Sequence, residues 1–222
     1  MIKCAILDLD GTIADSMGYW INAANDVVLK LGLVPDDNLS TISMSMSLVG
    51  LSEYLIKRYN LSYTIDEVCD MFDDCMLVRY ENDVKIKPYF YDLIVKLKEM
   101  GIKMAVASST SKPLVETCLK RLKIDGFFEY VADAREIGKS KQFPDIYMKC
   151  SDYFGIRYDE SIIFEDLPYG IICTKKYGFK TVAFYDKTNE KHTSVLKENA
   201  DLYIENLNID SLGEIVDFIN HN

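Results

Sequence analysis

Residues 3–12, KCAILDLDGT, narrow the possible folds more than any other stretch of the chain. Four apolar residues, Cys4-Ala5-Ile6-Leu7, stand between Lys3 and Asp8. A run that short, with no polar alternation, reads as a strand buried on both faces, as in a parallel sheet. In open α/β sheets, ligands sit beyond the carboxyl ends of such strands. Asp8 stands at that end, and Asp10, two residues on, reaches the same side of an extended backbone. Gly11 permits a sharp turn, and Thr12 adds a hydroxyl. Two carboxylates this close are costly to ionise unless a metal or a shared proton compensates. An Asp-Gly turn alone is common; DxDGT directly after an N-terminal buried strand is far more specific.

The rest of the chain alternates in a way that fits this start. Helical spacing covers 17–31, with Trp20, Ile21, Ala24, Val27, Val28 and Leu31 on one face and Gly32 as a stop. Residues 33–47 read as irregular, and helices follow at 48–59 and 65–80, the latter with Thr64 and Glu67 as a capping box. No strand is expected between 15 and 87. Beyond that point, Pro88 opens a helix to Met100, 102–107 (IKMAVA) is a strand, and Ser108-Ser109-Thr110-Ser111 leads into a helix from Pro113 to Arg121. Strands at 130–132, 161–164, 181–184 and 202–204 alternate with helices at 144–153, 169–177 and 211–219. Alternation of this kind implies parallel pairing. The expected architecture is therefore α/β, a doubly wound parallel sheet formed by 1–14 and 88–222. An all-helical cap at 15–87 is inserted over the crevice.

Charge and composition restrict function. The net charge of −10 on 222 residues disfavours nucleic acid as a general partner. No apolar run approaches the roughly 18 residues of a membrane span. The N-terminus lacks a basic region leading into an apolar stretch, so a secretory signal is not expected. Cys4, Cys69, Cys75, Cys118, Cys150 and Cys173 are scattered, without a CxxC pair, and read as reduced thiols of a cytoplasmic protein. Arg79, Lys85 and Lys87 read as solvated surface, as do the carboxylates Asp66, Glu67, Asp70, Asp73 and Asp74. Nothing requires more than a monomer.

Four strand ends in this order carry polar groups: Asp8 and Asp10; Ser108 and Ser109; the stretch near Lys141; and Glu165 with Asp166. Taken singly, the serines read as a helix cap, Lys141 as surface and Glu-Asp as a turn; together they gather on one side of the sheet. The chain resembles the haloacid dehalogenase-like hydrolase superfamily, in the branch with a helical cap after the first strand. Its β-phosphoglucomutase-like and phosphoglycolate phosphatase-like members are the nearest in look. DLDGT matches the first motif of that family, Ser108 the second, Lys141 in KQFPDIY the third and Glu165-Asp166 the fourth.

The resemblance implies a Rossmann-like core and the following roles. Asp8 is the nucleophile that forms an aspartyl phosphate. Asp10, positioned by Thr12, is the acid and base, and Ser108, Ser109 and Lys141 bind the phosphoryl group. Asp8, the Asp10 carbonyl and Asp166 hold Mg2+, with Glu165 a further ligand or a neighbour of the metal site. The implied activity is Mg2+-dependent hydrolysis of a small phosphorylated metabolite. A sugar-phosphate mutase of the β-phosphoglucomutase kind is the alternative, and a non-catalytic phosphometabolite-binding module a second one. Three departures favour the phosphatase over the mutase: Ser108-Ser109-Thr110-Ser111-Lys112 lacks the mutases' Lys-Asn at the matching positions, residues 40–52 carry no Arg or Lys, and Trp20 replaces their histidine. Trp20 reads equally as a helix core position or a substrate contact. Gln142 and the run Leu167-Pro168-Tyr169 also depart from the usual pattern.

Overall fold

The computed structural model describes residues 1–44 and 46–222; Ser45, inside a stretch expected to be irregular, lies outside the described residues. The chain divides into two compact units, one of Ser16–Val84 and one of Met1–Asp15 with Lys85–Asn222.

The inserted unit consists of α1 (Met17–Lys30), α2 (Leu39–Ser43), α3 (Leu48–Tyr59) and α4 (Ile65–Asn82). Apolar spacing sets its packing. α1 buries Ala23, Ala24, Val27 and Val28, and α4 buries Val68, Cys69, Phe72, Cys75, Met76 and Tyr80. Two devices fix the ends of α4. Thr64 and Glu67 form the expected reciprocal capping box, with Thr64 N–H donating to Glu67 at 2.7 Å and Glu67 N–H to Thr64 Oγ1 at 3.2 Å. At the far end Arg79 pairs with Asp83 at 3.0 Å and with Asp26 of α1 at 3.5 Å. The helix α2 corrects the expectation of an irregular 33–47. It is five residues long and buries only Leu39, too little for a periodic signal.

The other unit is built on a six-stranded sheet in the order β5-β4-β1-β6-β7-β8, every pairing parallel. Its strands are β1 (Cys4–Leu7), β4 (Lys103–Ser108), β5 (Tyr130–Asp133), β6 (Ser161–Glu165), β7 (Lys180–Phe184) and β8 (Leu202–Ile204). The remaining strands, β2 (Ala14–Asp15) and β3 (Lys85–Ile86), form a separate antiparallel ladder at the roots of the insert. This ladder corrects the expectation of no strand between 15 and 87; two residues cannot display a period of two. Among the described residues, seven α-helices complete the unit: α5 (Phe90–Glu99), α6 (Lys112–Arg121), α7 (Ala134–Ile137), α8 (Asp145–Phe154), α9 (Pro168–Lys175), α10 (Thr193–Asn199) and α11 (Ile209–Asn220). α5 starts two residues later than Pro88 suggested, because Tyr89 takes a left-handed φ of 60°.

All four residues of β1 and all five of β6 are buried, which accounts for their unbroken apolar runs. Ile146, Tyr147 and Cys150 of α8 pack with Cys4, Ile6, Ala105, Ala107 and Ile163 in one core cluster. From β1 the chain moves to β4 and β5, then crosses back to β6 on the other side of β1. The reversal opens a crevice at the carboxyl end of β1. Among the described residues no helix is long and apolar enough to cross a membrane. All six cysteines are free, five of them buried. Burial pushes the Cys4 and Cys118 thiols up to about 12, which makes them packing groups rather than nucleophiles.

Candidate active site

Asp8 follows β1 directly, and its backbone N–H donates to Phe164 O of β6 at 3.0 Å, so the sheet ladder itself fixes its start. The chain then turns tightly: Gly11 takes a φ of 89°, its N–H donates to Ala14 O at 3.0 Å, and Ala14 N–H donates to Leu9 O at 2.8 Å. A side chain at position 11 would be strained in that conformation. The turn leaves Asp8 buried and Asp10 partly exposed, with Thr12 fully buried.

Lys141 Nζ donates to Asp8 Oδ1 at 2.6 Å and also pairs with Glu165 Oε1. Glu165 accepts a further hydrogen bond from Tyr147 Oη at 2.7 Å. Lys141 is 9% exposed and Glu165 1%, so these charges are held away from water and need one another. Burial works to lower the Lys141 ammonium, but Asp8 and Glu165 outweigh it and hold it above its ordinary value. Lys141 reaches the site although it lies beyond the short helix α7 rather than at the end of β5. Asp133, at the end of β5, accepts from the N–H groups of Arg135 and Glu136 and from Lys112 N–H at 2.9 Å. It thereby caps α7 and ties down the start of α6.

Ser108 ends β4 and is buried, whereas Ser109 is exposed. Thr110 joins two of the motifs: its N–H donates to Ser108 Oγ at 3.1 Å and its hydroxyl to Asp10 Oδ2 at 2.7 Å. Asp166 is fully buried; its Oδ2 accepts from Asn189 Nδ2 at 2.6 Å, while its Oδ1 has no hydrogen-bond partner. Trp20 belongs to the helical unit, half-buried on α1, and its indole N–H donates to the buried Tyr80 hydroxyl at 3.0 Å. Lys87 corrects its reading as solvated surface. It is 16% exposed, pairs with Asp186 at 2.5 Å and donates to Gly11 O.

Asp8, Glu165 and Asp166 can each bring a carboxylate oxygen within 4.8 Å of the others. Burial, with Glu165 and Asp10 nearby, pushes Asp8 up to about 7 against the pull of Lys141. Burial and the charges of Asp8 and Glu165 push Asp166 well above the carboxylate range. The cluster is thus short of positive charge, and one buried carboxylate oxygen is unpartnered. A hard divalent cation, which takes oxygen donors, fits both conditions. Glu165 is already engaged by Lys141 and Tyr147, so Asp8 and Asp166 are the freer donors.

Sequence reasoning missed Thr110, Asn189, Tyr147 and the Lys87–Asp186 pair. Tyr147 lies inside KQFPDIY and could have been found there. The others carry no local signal.

The chain belongs to the haloacid dehalogenase-like hydrolase family, whose profile matches residues 5–184. Hexitol phosphatase B of Escherichia coli is 24% identical over 188 residues, 82% of this chain and 82% of its own. The β-phosphoglucomutase of Bacillus subtilis is 26% identical over 190 residues, again 82% of each chain. The crystal structure of a CbbY mutant from Rhodobacter sphaeroides with xylulose-1,5-bisphosphate superposes with a TM-score of 0.81 at 19% identity. The match spans 93% of this chain and 95% of that one, and at such identity it speaks to the fold alone. The chain is accordingly an enzyme of this hydrolase family, and its relatives include phosphatases.

Proposed function

We propose that the protein is a Mg2+-dependent phosphatase that cleaves a small phosphorylated metabolite through an aspartyl phosphate on Asp8. The observation that carries this reading is the buried constellation of Asp8 held by Lys141, with the unpartnered Asp166 Oδ1 in the same acidic cluster. Asp8 attacks phosphorus; a carboxylate is a competent covalent nucleophile when it is fixed and partly neutralised. Lys141 orients Asp8 and carries positive charge toward the phosphoryl oxygens. Asp10, steadied by Thr110, protonates the leaving alcohol and then takes a proton from the water that opens the acyl phosphate. Ser108 Oγ accepts from Thr110 N–H, which leaves its own proton to donate to the phosphoryl group. Asp8 and Asp166 would hold Mg2+, which when bound supplies the positive charge that the dianionic ester requires.

The absence of Arg and Lys from 40–52 favours transfer to water over a mutase that must grip a second phosphate. Free and mostly buried cysteines support a reducing, cytoplasmic setting. The test is inorganic phosphate release from a panel of phosphomonoesters, with and without Mg2+, beside Asp8→Asn. The expected result is metal-dependent release that falls at least ~1,000-fold in the variant. Interconversion of sugar phosphates primed by a sugar bisphosphate, without net phosphate release, would establish the mutase instead.

A further inference from the structure

One turn after β7 sends Asn189 to the acidic cluster and Asp186 to Lys87. Asp186 is 8% exposed; its Oδ1 accepts from Thr188 N–H at 2.9 Å and its Oδ2 pairs with Lys87 at 2.5 Å. Asn189 N–H donates to Asp186 O at 2.9 Å, and Asn189 Nδ2 donates to Asp166 Oδ2 at 2.6 Å. Lys87 in turn reaches Gly11 O. The 186–189 turn is thus braced against itself and tied to the loops that follow both β1 and β6.

A carboxylate can rotate about its last bond, and anchoring one oxygen fixes where the other points. The anchor on Asp166 is a neutral amide, so it orients the group without spending its charge. Lys87 is near enough to act on Asp166 electrostatically, but its ammonium is engaged by Asp186 and by a backbone carbonyl. Neither group therefore neutralises Asp166, and Oδ1 is the atom left unpartnered.

We propose that Asn189 is a positioning residue that holds Asp166 with Oδ1 facing the divalent cation, on a turn that the Lys87–Asp186 pair anchors. This rests on the reading of Asp8 and Asp166 as the cation site. A partner that orients a metal-binding carboxylate typically contributes about 10- to 100-fold to affinity. The experiment is calorimetric titration of the metal-free full-length protein with MgCl2 alone, without substrate, for wild type, Asn189→Leu and Asp166→Asn. Asn189→Leu keeps the branched shape of the side chain and removes the donor. Its Kd for Mg2+ is expected to rise about tenfold. In steady-state assays the Mg2+ concentration for half-maximal rate should shift by the same factor, while kcat at saturating metal returns to within about threefold of wild type. A purely structural role would lower Tm and leave the metal Kd in place. A Kd within about twofold of wild type, beside an Asp166→Asn that no longer binds, overturns the role of Asn189 and keeps the cation site. An Asp166→Asn that binds Mg2+ as well as wild type overturns both. Should Asn189→Leu fail to fold, Asn189→Ala, which removes the donor without adding an apolar branch, is read by the same criteria.

Discussion

At the scale of single residues, the site trades stability for charge. Asp8 and Asp166 are buried carboxyls pushed above their ordinary values, Asp8 to about 7. A carboxyl whose folded pKa exceeds its unfolded one costs stability above the folded value. That cost is removed as pH falls from the folded value toward the unfolded one. Metal-free protein should therefore gain stability as pH drops from about 7 toward about 5, before the remaining carboxylates protonate. Asp166→Asn removes the cost of burying that carboxyl and preserves shape and the acceptor for Asn189. Its metal-free Tm is expected to rise by about 2–4 °C, the shift that about 1 kcal/mol produces in a chain of this size. Wild type should gain thermal stability from Mg2+, since a ligand bound only by the folded state shifts unfolding, and the variant should gain none. Thermal melts in chelator and in Mg2+ at neutral pH check both halves; a lower metal-free Tm in Asp166→Asn would show that Asp166 is a structural group.

Elements meet tightly where α9 follows β6. Gly170 is the third residue of α9, and a Cβ there would lie 2.2 Å from Tyr147 Oη and 3.0 Å from Glu165 Cγ and Oε1. Neither neighbour can yield freely, because Tyr147 is fully buried and donates to Glu165. Gly170→Ala should lower stability by about 2 kcal/mol, as overpacking does, or about 4–8 °C in Tm. It should also lower phosphate release through the displaced Glu165–Lys141 pair. Gly18→Ala on α1, where nothing stands within 4 Å, should leave both within error or raise Tm. The contrast between the two variants is read in one set of melts. The same elements explain what could be seen in advance. CAIL, IKMAVA and SIIF were legible as strands because burial on both faces leaves a nearly unbroken apolar run. β2 and β3 are two residues each, and α2 buries one side chain, so no period existed to read. The motif residues were legible for a similar reason: each stands at the end of a legible strand or in a short fixed run. Thr110 finds Asp10 across 100 residues and Asn189 finds Asp166 across 23, from segments whose own sequences look like a cap and a polar loop. Those links exist only once the sheet order is known.

For the molecule as a whole, charge sets the terms on which an anion arrives. The net charge is −10, and most of it belongs to the helical unit, where eleven acidic residues face four basic ones. The site gives little relief, because Lys141 is shared between Asp8 and Glu165. A phosphomonoester dianion therefore approaches against the long-range field, and the attraction it does find is local and short-ranged. Screening acts on the first and hardly on the second, since about 10 Å of solvent at 0.1 M salt already mutes distant charges. At saturating Mg2+, kcat/KM for a dianionic ester is expected to rise about two- to threefold as NaCl goes from about 20 mM to about 200 mM. An enzyme that steers its substrate by attraction shows the opposite slope. Steady-state kinetics across that range decide between them. A falling kcat/KM would mean that a basic approach path, and not the net charge, governs how the ester reaches Asp8.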